Sequence, residues 1–204
     1  FVVTHIVFRK KTPYVPVEGP YSEDCEALES LNKKIEILEI PLLGFNDPVL
    51  YGTWKKEKSL NLPKVLGRIT PLKYLIDITL IAISTISYCL KHQKGKYVVI
   101  GIDPLSCLPL ILLKIIFDFK LIYHCVDFNK NRFANKFLQS LYEKADELSG
   151  RFSDQTWVIC ESLRDYKKKI YGTKSYYLPH APIYNDHFYN QGKNLRTGNK
   201  MAWT

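Results

Sequence analysis

The side chains able to do chemistry in this chain stand at the ends of its apolar runs. Gly19 and Pro20 follow the first β-branched run, and Asp103 closes the run that begins at Tyr97. His124 and Asp127 end the run from Leu121, Glu161 and Ser162 end the run from Thr156, and His180 follows the last short run, Tyr176 to Leu178. In open α/β sheets ligands bind outside the carboxyl ends of the strands. Polar groups gathered there, with apolar strand interiors behind them, therefore read as one candidate site.

Each member has two readings. A carboxylate such as Asp127 near His124 can fix the imidazole tautomer and raise its basicity, but a hydrogen-bonded structural histidine fits equally well. Asp103 before Pro104 is a helix-start signal, so its first reading is an N-cap. Ser162 reads as a cap rather than a nucleophile, since no G-x-S-x-G elbow surrounds it. Gly19-Pro20 either shapes a turn or lets the backbone approach a phosphate. Arg132 either pairs with a phosphate or is a solvated surface arginine.

Several chemistries lack their residues. There is no G-x-x-x-x-G-K-[ST] loop and no G-x-G-x-x-G after a strand, which argues against a P-loop NTPase and a dinucleotide dehydrogenase. The histidines His5, His92, His124, His180 and His187 lack metal-ligand spacing, so no metal site is expected. Lys55-Lys56 and Lys167-Lys168-Lys169 read as solvated faces. Tyrosines are scattered rather than interleaved with a basic stripe, so nucleic acid is not an expected partner.

The elements that must position these residues follow from pattern. Val2 to Phe8 reads as a strand, then a loop with Pro13, Pro16, Gly19 and Pro20. Ser22 to Asn32 reads as a helix capped by Ser22, with Glu23 and Asp24 in its first turn. Ile35 to Ile40 reads as a second strand. Pro41 to Leu62 is not divided by pattern, except for a short strand at Val49 to Trp54. Pro71 to Leu90 reads as one helix. Strands are then expected at Tyr97 to Ile102, Leu121 to Val126, Thr156 to Cys160 and Tyr176 to Leu178. Helices are expected from Asp103 to about Phe117, over Phe133 to Leu148, and from Ser162-Leu163-Arg164-Asp165, which has the form of a capping box. This alternation predicts an α/β fold with a Rossmann-like parallel sheet, right-handed crossovers and helices on both faces. Residues 185–204 are polar and rich in Asn and Gly, and read as a linker entering another element at Met201.

The 204 residues suffice for one domain with a sizeable core. The formal net charge of +9 favours an anionic partner: a phosphate-bearing substrate, a membrane surface or nucleic acid. Five cysteines without a C-x-x-C pair, mostly in apolar runs, read as free thiols in a reducing compartment. Lys73 and Asp77, with the hydroxyls of Thr79, Ser84, Thr85 and Ser87, interrupt the Pro71 to Leu90 run, so it reads as a packed helix. A membrane-spanning or membrane-surface helix is the alternative.

From Tyr97 to Tyr184 the order of motifs resembles the second half of the N-terminal domain of GT-B glycosyltransferases of the large retaining (family 4-like) group. The strand Val99-Ile100-Gly101-Ile102 runs into Asp103-Pro104. Leu121-Ile122-Tyr123-His124-Cys125-Val126-Asp127 ends in a His and Asp cluster. Thr156 to Cys160 leads to a helix beginning near Ser162. Tyr176-Tyr177-Leu178-Pro179-His180-Ala181 stands where such proteins have a Pro-Asn-Gly-type hinge, with His180-Ala181 departing from that pattern. Asp186-His187-Phe188 resembles the acidic-aromatic end of the hinge, and the segment from Gly198 to Thr204 resembles entry into a donor-binding domain.

The resemblance implies an acceptor-side GT-B domain over 1–184, with 185–204 as linker and the first residues of a donor-binding domain. It implies a transferase moving sugar from a nucleotide-sugar donor, a substrate rather than a cofactor, to a glycan or lipid-linked acceptor. His124 would contact the transferred sugar, with Asp127 orienting it or meeting the acceptor. Gly19 and Pro20 would approach the donor phosphates, Asp103 and Arg132 would line the acceptor side, and Pro179 and His180 would form the hinge. The segment by itself would be inactive. The expected location is the cytoplasm, with peripheral contact at the inner face of a plasma membrane. A non-catalytic Rossmann- or flavodoxin-like module for an anionic ligand is the alternative.

Overall fold

A computed structural model describes residues 1–6, 8–11, 14–16, 20–42, 44–92, 97–128 and 132–178. Its centre is a mixed sheet built on six parallel strands: β1 (Val2–Ile6), β4 (Glu36–Pro41), β7 (Val98–Ile102), β8 (Lys120–Cys125), β9 (Gln155–Val158) and β10 (Ser175–Tyr177). Two antiparallel strands, β5 (Val49–Thr53) and β6 (Lys56–Leu60), extend one edge. The full order is β10-β9-β8-β7-β1-β4-β5-β6. β2 (Phe8–Lys11) and β3 (Tyr14–Pro16) form a separate antiparallel pair. The expected α/β Rossmann-like architecture is present.

Among the described residues five α-helices connect the strands: α1 (Pro20–Ser30), α2 (Thr70–Lys91), α3 (Pro104–Lys114), α4 (Lys136–Phe152) and α5 (Glu161–Tyr171). The chain steps from β1 to β4 in one direction and makes every later parallel step in the other. Right-handed crossovers then put α1 on one face and the remaining helices on the opposite face. Packing agrees. Cys25 and Leu28 of α1 pack with Val2, Ile37, Ile100 and Ile122. Ile81, Cys107, Leu110 and Leu163, from α2, α3 and α5, pack with Val3, Leu38, Val99 and Leu121. Tyr123 on that same side donates a hydrogen bond to Asp146 of α4.

Several boundaries differ from the sequence reading. The first strand stops at Ile6; Phe8, expected as its last residue, opens β2 instead, and the rest of the β2–β3 pair lies in a stretch expected to be loop. Helix α1 begins at Pro20, so Ser22 lies inside its first turn and is not its N-cap. Helix α5 begins at Glu161 after an extended Cys160 (φ −145°, ψ 154°), with no side-chain cap. Ser162 is thus the second helical residue, and acidic Glu161 meets the helix dipole instead. Helix α4 starts at Lys136 because Asn135 caps it, accepting from the backbone N–H groups of Phe137 (2.9 Å) and Leu138 (3.3 Å). Strand β6 went unread because all five of its residues are exposed, which leaves no apolar alternation.

Helix α2 behaves as a packed helix of the layer. It turns Lys73, Asp77, Ile81, Thr85 and Cys89 inward, one residue every fourth position. Gly101 lets α3 settle close on β7. A Cβ there would meet Leu110 Cδ1 at 3.0 Å and Cys107 Cα at 3.1 Å.

All five cysteines are free, and only Cys160 is exposed. Burial is the main reason the other thiols hold their protons: Cys25 is pushed up to about 12, Cys125 to about 12, Cys107 to about 11, and Cys89 is also raised. Thiolate is the reactive form. Iodoacetamide at pH 8 should therefore label Cys160 alone in the folded chain, and all cysteines in denaturant. Mass spectrometry showing early modification of Cys25 or Cys125 would mean that the helices do not seal the sheet as described.

Candidate functional site

The carboxyl ends of β1, β7 and β8 lie side by side, with His5 near the end of β1 and Ile102 in register with His124. Between β1 and β7 the direction of strand order reverses. That reversal opens the crevice where doubly wound sheets bind ligands. Side-chain alternation sends neighbouring tip residues to opposite faces, so the polar groups form three connected clusters rather than one row.

The first centres on Asp103. Its backbone (φ 79°, ψ 142°) occupies a region that suits glycine. Three interactions hold it there. Its N–H donates to the His124 carbonyl at 3.3 Å. Its Oδ1 accepts from the Leu105 N–H at 2.9 Å, the N-cap expected from the sequence. Its Oδ2 lies 3.1 Å from the Arg132 guanidinium. Arg132 also reaches Asp127 at 3.4 Å and the Tyr142 hydroxyl at 3.2 Å, with its guanidinium 5.0 Å from the Tyr142 ring centroid. Burial opposes the guanidinium's charge, yet Asp103, Tyr142 and Asp127 together hold its pKa above the usual value. Burial, then the Asp103 carboxylate, raises the Tyr142 phenol. Asp127 is the open member, with its side chain 71% exposed.

The second cluster lies beneath α2 and α3. His5 Nδ1 is 2.8 Å from Ser106 Oγ, and its Nε2 is 3.3 Å from Asp77 Oδ2. Lys73 Nζ shares that same Asp77 oxygen at 2.5 Å. Ser106 belongs to the first turn of α3, so this cluster is anchored beside Asp103. A hydroxyl, an imidazole and a carboxylate in series can pass a proton in principle. Here Ser106 and Asp77 are almost wholly buried, which suits holding α2 and α3 to the β1 tip rather than attacking a substrate.

The third lies under α1. His124 is fully buried, and its Nδ1 is 2.7 Å from Oδ2 of Asp24. Its ring also meets Trp157 edge-on at 6.0 Å between centroids. The carboxylate beside the imidazole is therefore Asp24, not Asp127 as its spacing suggested. Asp127 turns instead to Arg132. With no exposed surface, the imidazole acts on the site through α1, which it ties to the tip of β8.

The structure brings Asp103, Asp127 and Arg132 together and places His124 next to them through the backbone. Pro20 is present as the first residue of α1. Gly19, Pro179 and His180 lie outside the described residues. Sequence reasoning missed His5, Asp24, Lys73, Asp77, Ser106 and Tyr142. For His5 the signal was available, since it stands at the carboxyl end of the first strand, as His124 does in its own. For Asp77 and Lys73 the signal was two charges four residues apart on the inward side of an apolar helix. Among the described residues no group of three or more His, Cys, Asp or Glu side chains could hold a metal ion.

No protein-family model matches this chain, and no curated protein matches it.

The strain at Asp103 gives a prediction. In Asp103→Gly the positive φ costs nothing and glycine is a tolerable cap, so stability should stay within about 1 kcal/mol of the parent. Asp103→Ala keeps the strain and loses the cap, and should cost roughly 1–2 kcal/mol. Denaturant unfolding measures both. Equal losses in the two variants would show that the conformation of Asp103 stores no strain.

Proposed function

We propose that this chain is the acceptor-side, Rossmann-like half of a GT-B-type glycosyltransferase, which transfers sugar from a nucleotide-sugar donor to a hydroxyl-bearing glycan or lipid-linked acceptor. The observation that carries the reading is the Asp103–Arg132–Asp127 cluster at the tips of β7 and β8, beside the reversal of strand order. Carboxylates are acceptor-only groups suited to sugar hydroxyls, and a guanidinium held between two of them orients both. The motif order from Tyr97 to Tyr184 supports the same reading.

In this reading Asp103 and Asp127 receive acceptor hydroxyls, and Arg132 fixes their carboxylates. His124 and Asp24 hold α1, which begins at Pro20. Helix amino termini favour phosphate, so the His124–Asp24 contact positions the group that would approach the donor diphosphate. The diphosphate leaves with growing negative charge, and donors fixed in advance lower that barrier. A second lobe closing over the crevice would exclude water and favour transfer over hydrolysis.

The test uses the complete coding product, including any sequence that follows Thr204. It is screened for release of nucleoside diphosphate from a panel of nucleotide-sugars, with and without simple glycan acceptors. The expected result is turnover with one donor class. Asp127→Asn should raise KM for acceptor, and His124→Ala should lower kcat/KM by about 10²-fold. Tight binding of an anionic ligand without turnover would point to a non-catalytic module, and unchanged rates in His124→Ala would remove that residue from the mechanism.

A further inference from the structure

We propose that Lys167 and Asp146 are positioning residues for the acceptor-side pair Asp127 and Arg132, which they hold through Phe128 and Tyr142. The inference rests on the glycosyltransferase reading only in naming the ligand of that pair an acceptor. Lys167 is the one fully buried residue of α5, and its ammonium lies 2.6 Å from Oδ1 of Asp146 on α4. Neither side chain has any exposed surface. Apolar residues of similar volume would fill such a place with equal or greater stability. A charged pair contributes direction instead, since a short charge-assisted hydrogen bond fixes where both helices stand.

Two routes lead from this pair to the crevice. The first is aromatic. The Lys167 ammonium faces the rings of Tyr123, Phe128 and Tyr171, at 4.9, 5.8 and 5.8 Å from their centroids. Cations are drawn to ring faces, more strongly where water is excluded. Phe128 in turn stacks on Tyr142, with 6.1 Å between centroids and 18° between planes. Tyr142 receives Arg132 on both its hydroxyl and its ring. The second route runs along the backbone. The Cys125 thiol stands 3.4 Å from the Asp127 carbonyl oxygen and 3.9 Å from Asp146 Oδ1. Asp127 is therefore flanked by Cys125 and Phe128, and both meet the buried pair.

Helix α4 joins the two ends. Tyr142 and Asp146 are four residues apart, about one helical turn, and lie on the same buried side. Asp127 depends on this support, because its side chain is 71% exposed and reaches Arg132 only at 3.4 Å. So long a contact directs a carboxylate weakly, and its place is set by the residues on either side. Without the buried pair an acceptor hydroxyl meets a misplaced Asp127. The donor side, held through α1 by His124 and Asp24, stays as it was.

The test compares the complete coding product with its double variant Lys167→Met, Asp146→Asn, which removes both charges and keeps an acceptor for the Tyr123 hydroxyl. KM for acceptor should rise about tenfold, while donor hydrolysis without acceptor stays unchanged. Amide NMR should show lower heteronuclear NOE values at Asp127, Phe128 and Arg132. Ile81→Val, a core change in α2, should lower the melting temperature and move neither readout. If circular dichroism shows that the double variant does not fold, Phe128→Leu interrupts the same route and should give the same two changes. If the parent turns over no nucleotide-sugar, the glycosyltransferase reading fails and the NOE values alone decide the inference. Unchanged acceptor KM in an active enzyme, an equal loss of donor hydrolysis, unchanged NOE values, or the same changes in Ile81→Val would each overturn it.

Discussion

The handedness of the strand crossovers is the constraint on which the rest of this structure depends. One step, β1 to β4, goes one way across the sheet, and the later parallel steps go the other. A right-handed connection can satisfy both only with α1 on one face and the other helices on the opposite face. The same reversal parts the loops above β1 and β7. It makes the crevice beside Asp103, assigns His5 and His124 to different helix layers, and leaves α2, α3 and α4 as neighbours.

Buried charge fixes how those layers sit. Lys167 and Asp146 are both fully buried, 2.6 Å apart, and the Tyr123 hydroxyl donates to the same carboxylate. The Lys167 ammonium also lies 4.9 Å from the Tyr123 ring centroid. This network ties α4 and α5 to β8. Lys73, Asp77, His5 and Ser106 tie α2 and α3 to β1 in the same way. An unpartnered charge in such a place costs roughly 3–5 kcal/mol. Each helix is thereby held in one position by polar partners, while apolar contact alone would permit sliding. Strain at Asp103 persists because three separate interactions hold that residue at the junction of β7 and α3.

Much of the fold was legible in local pattern. The run Val98–Ile102 followed by Asp-Pro gave strand, cap and helix correctly, because the cap chemistry and the apolar run agree. Likewise the apolar length of α2 is written in adjacent residues. What could not be read depends on distant partners. The fully exposed β6 has no alternation to detect, and it exists because it pairs with β5. The carboxylate for His124 comes from a position 100 residues earlier, Asp24, by way of the β1–α1–β4 crossover. Spacing alone favoured Asp127, which the Arg132 guanidinium takes instead.

The crevice at the reversal of strand order can be tested directly by amide NMR of the isotopically labelled chain, titrated with nucleotide-sugars and with simple glycans. The expected result is a set of shift changes confined to the amides of His5, Asp103, Leu105, Ser106, Asp127 and Arg132, at the tips of β1, β7 and β8. Changes clustered at the opposite ends of the strands, around Val98, Lys120 and Gln155, would contradict the assignment of the site.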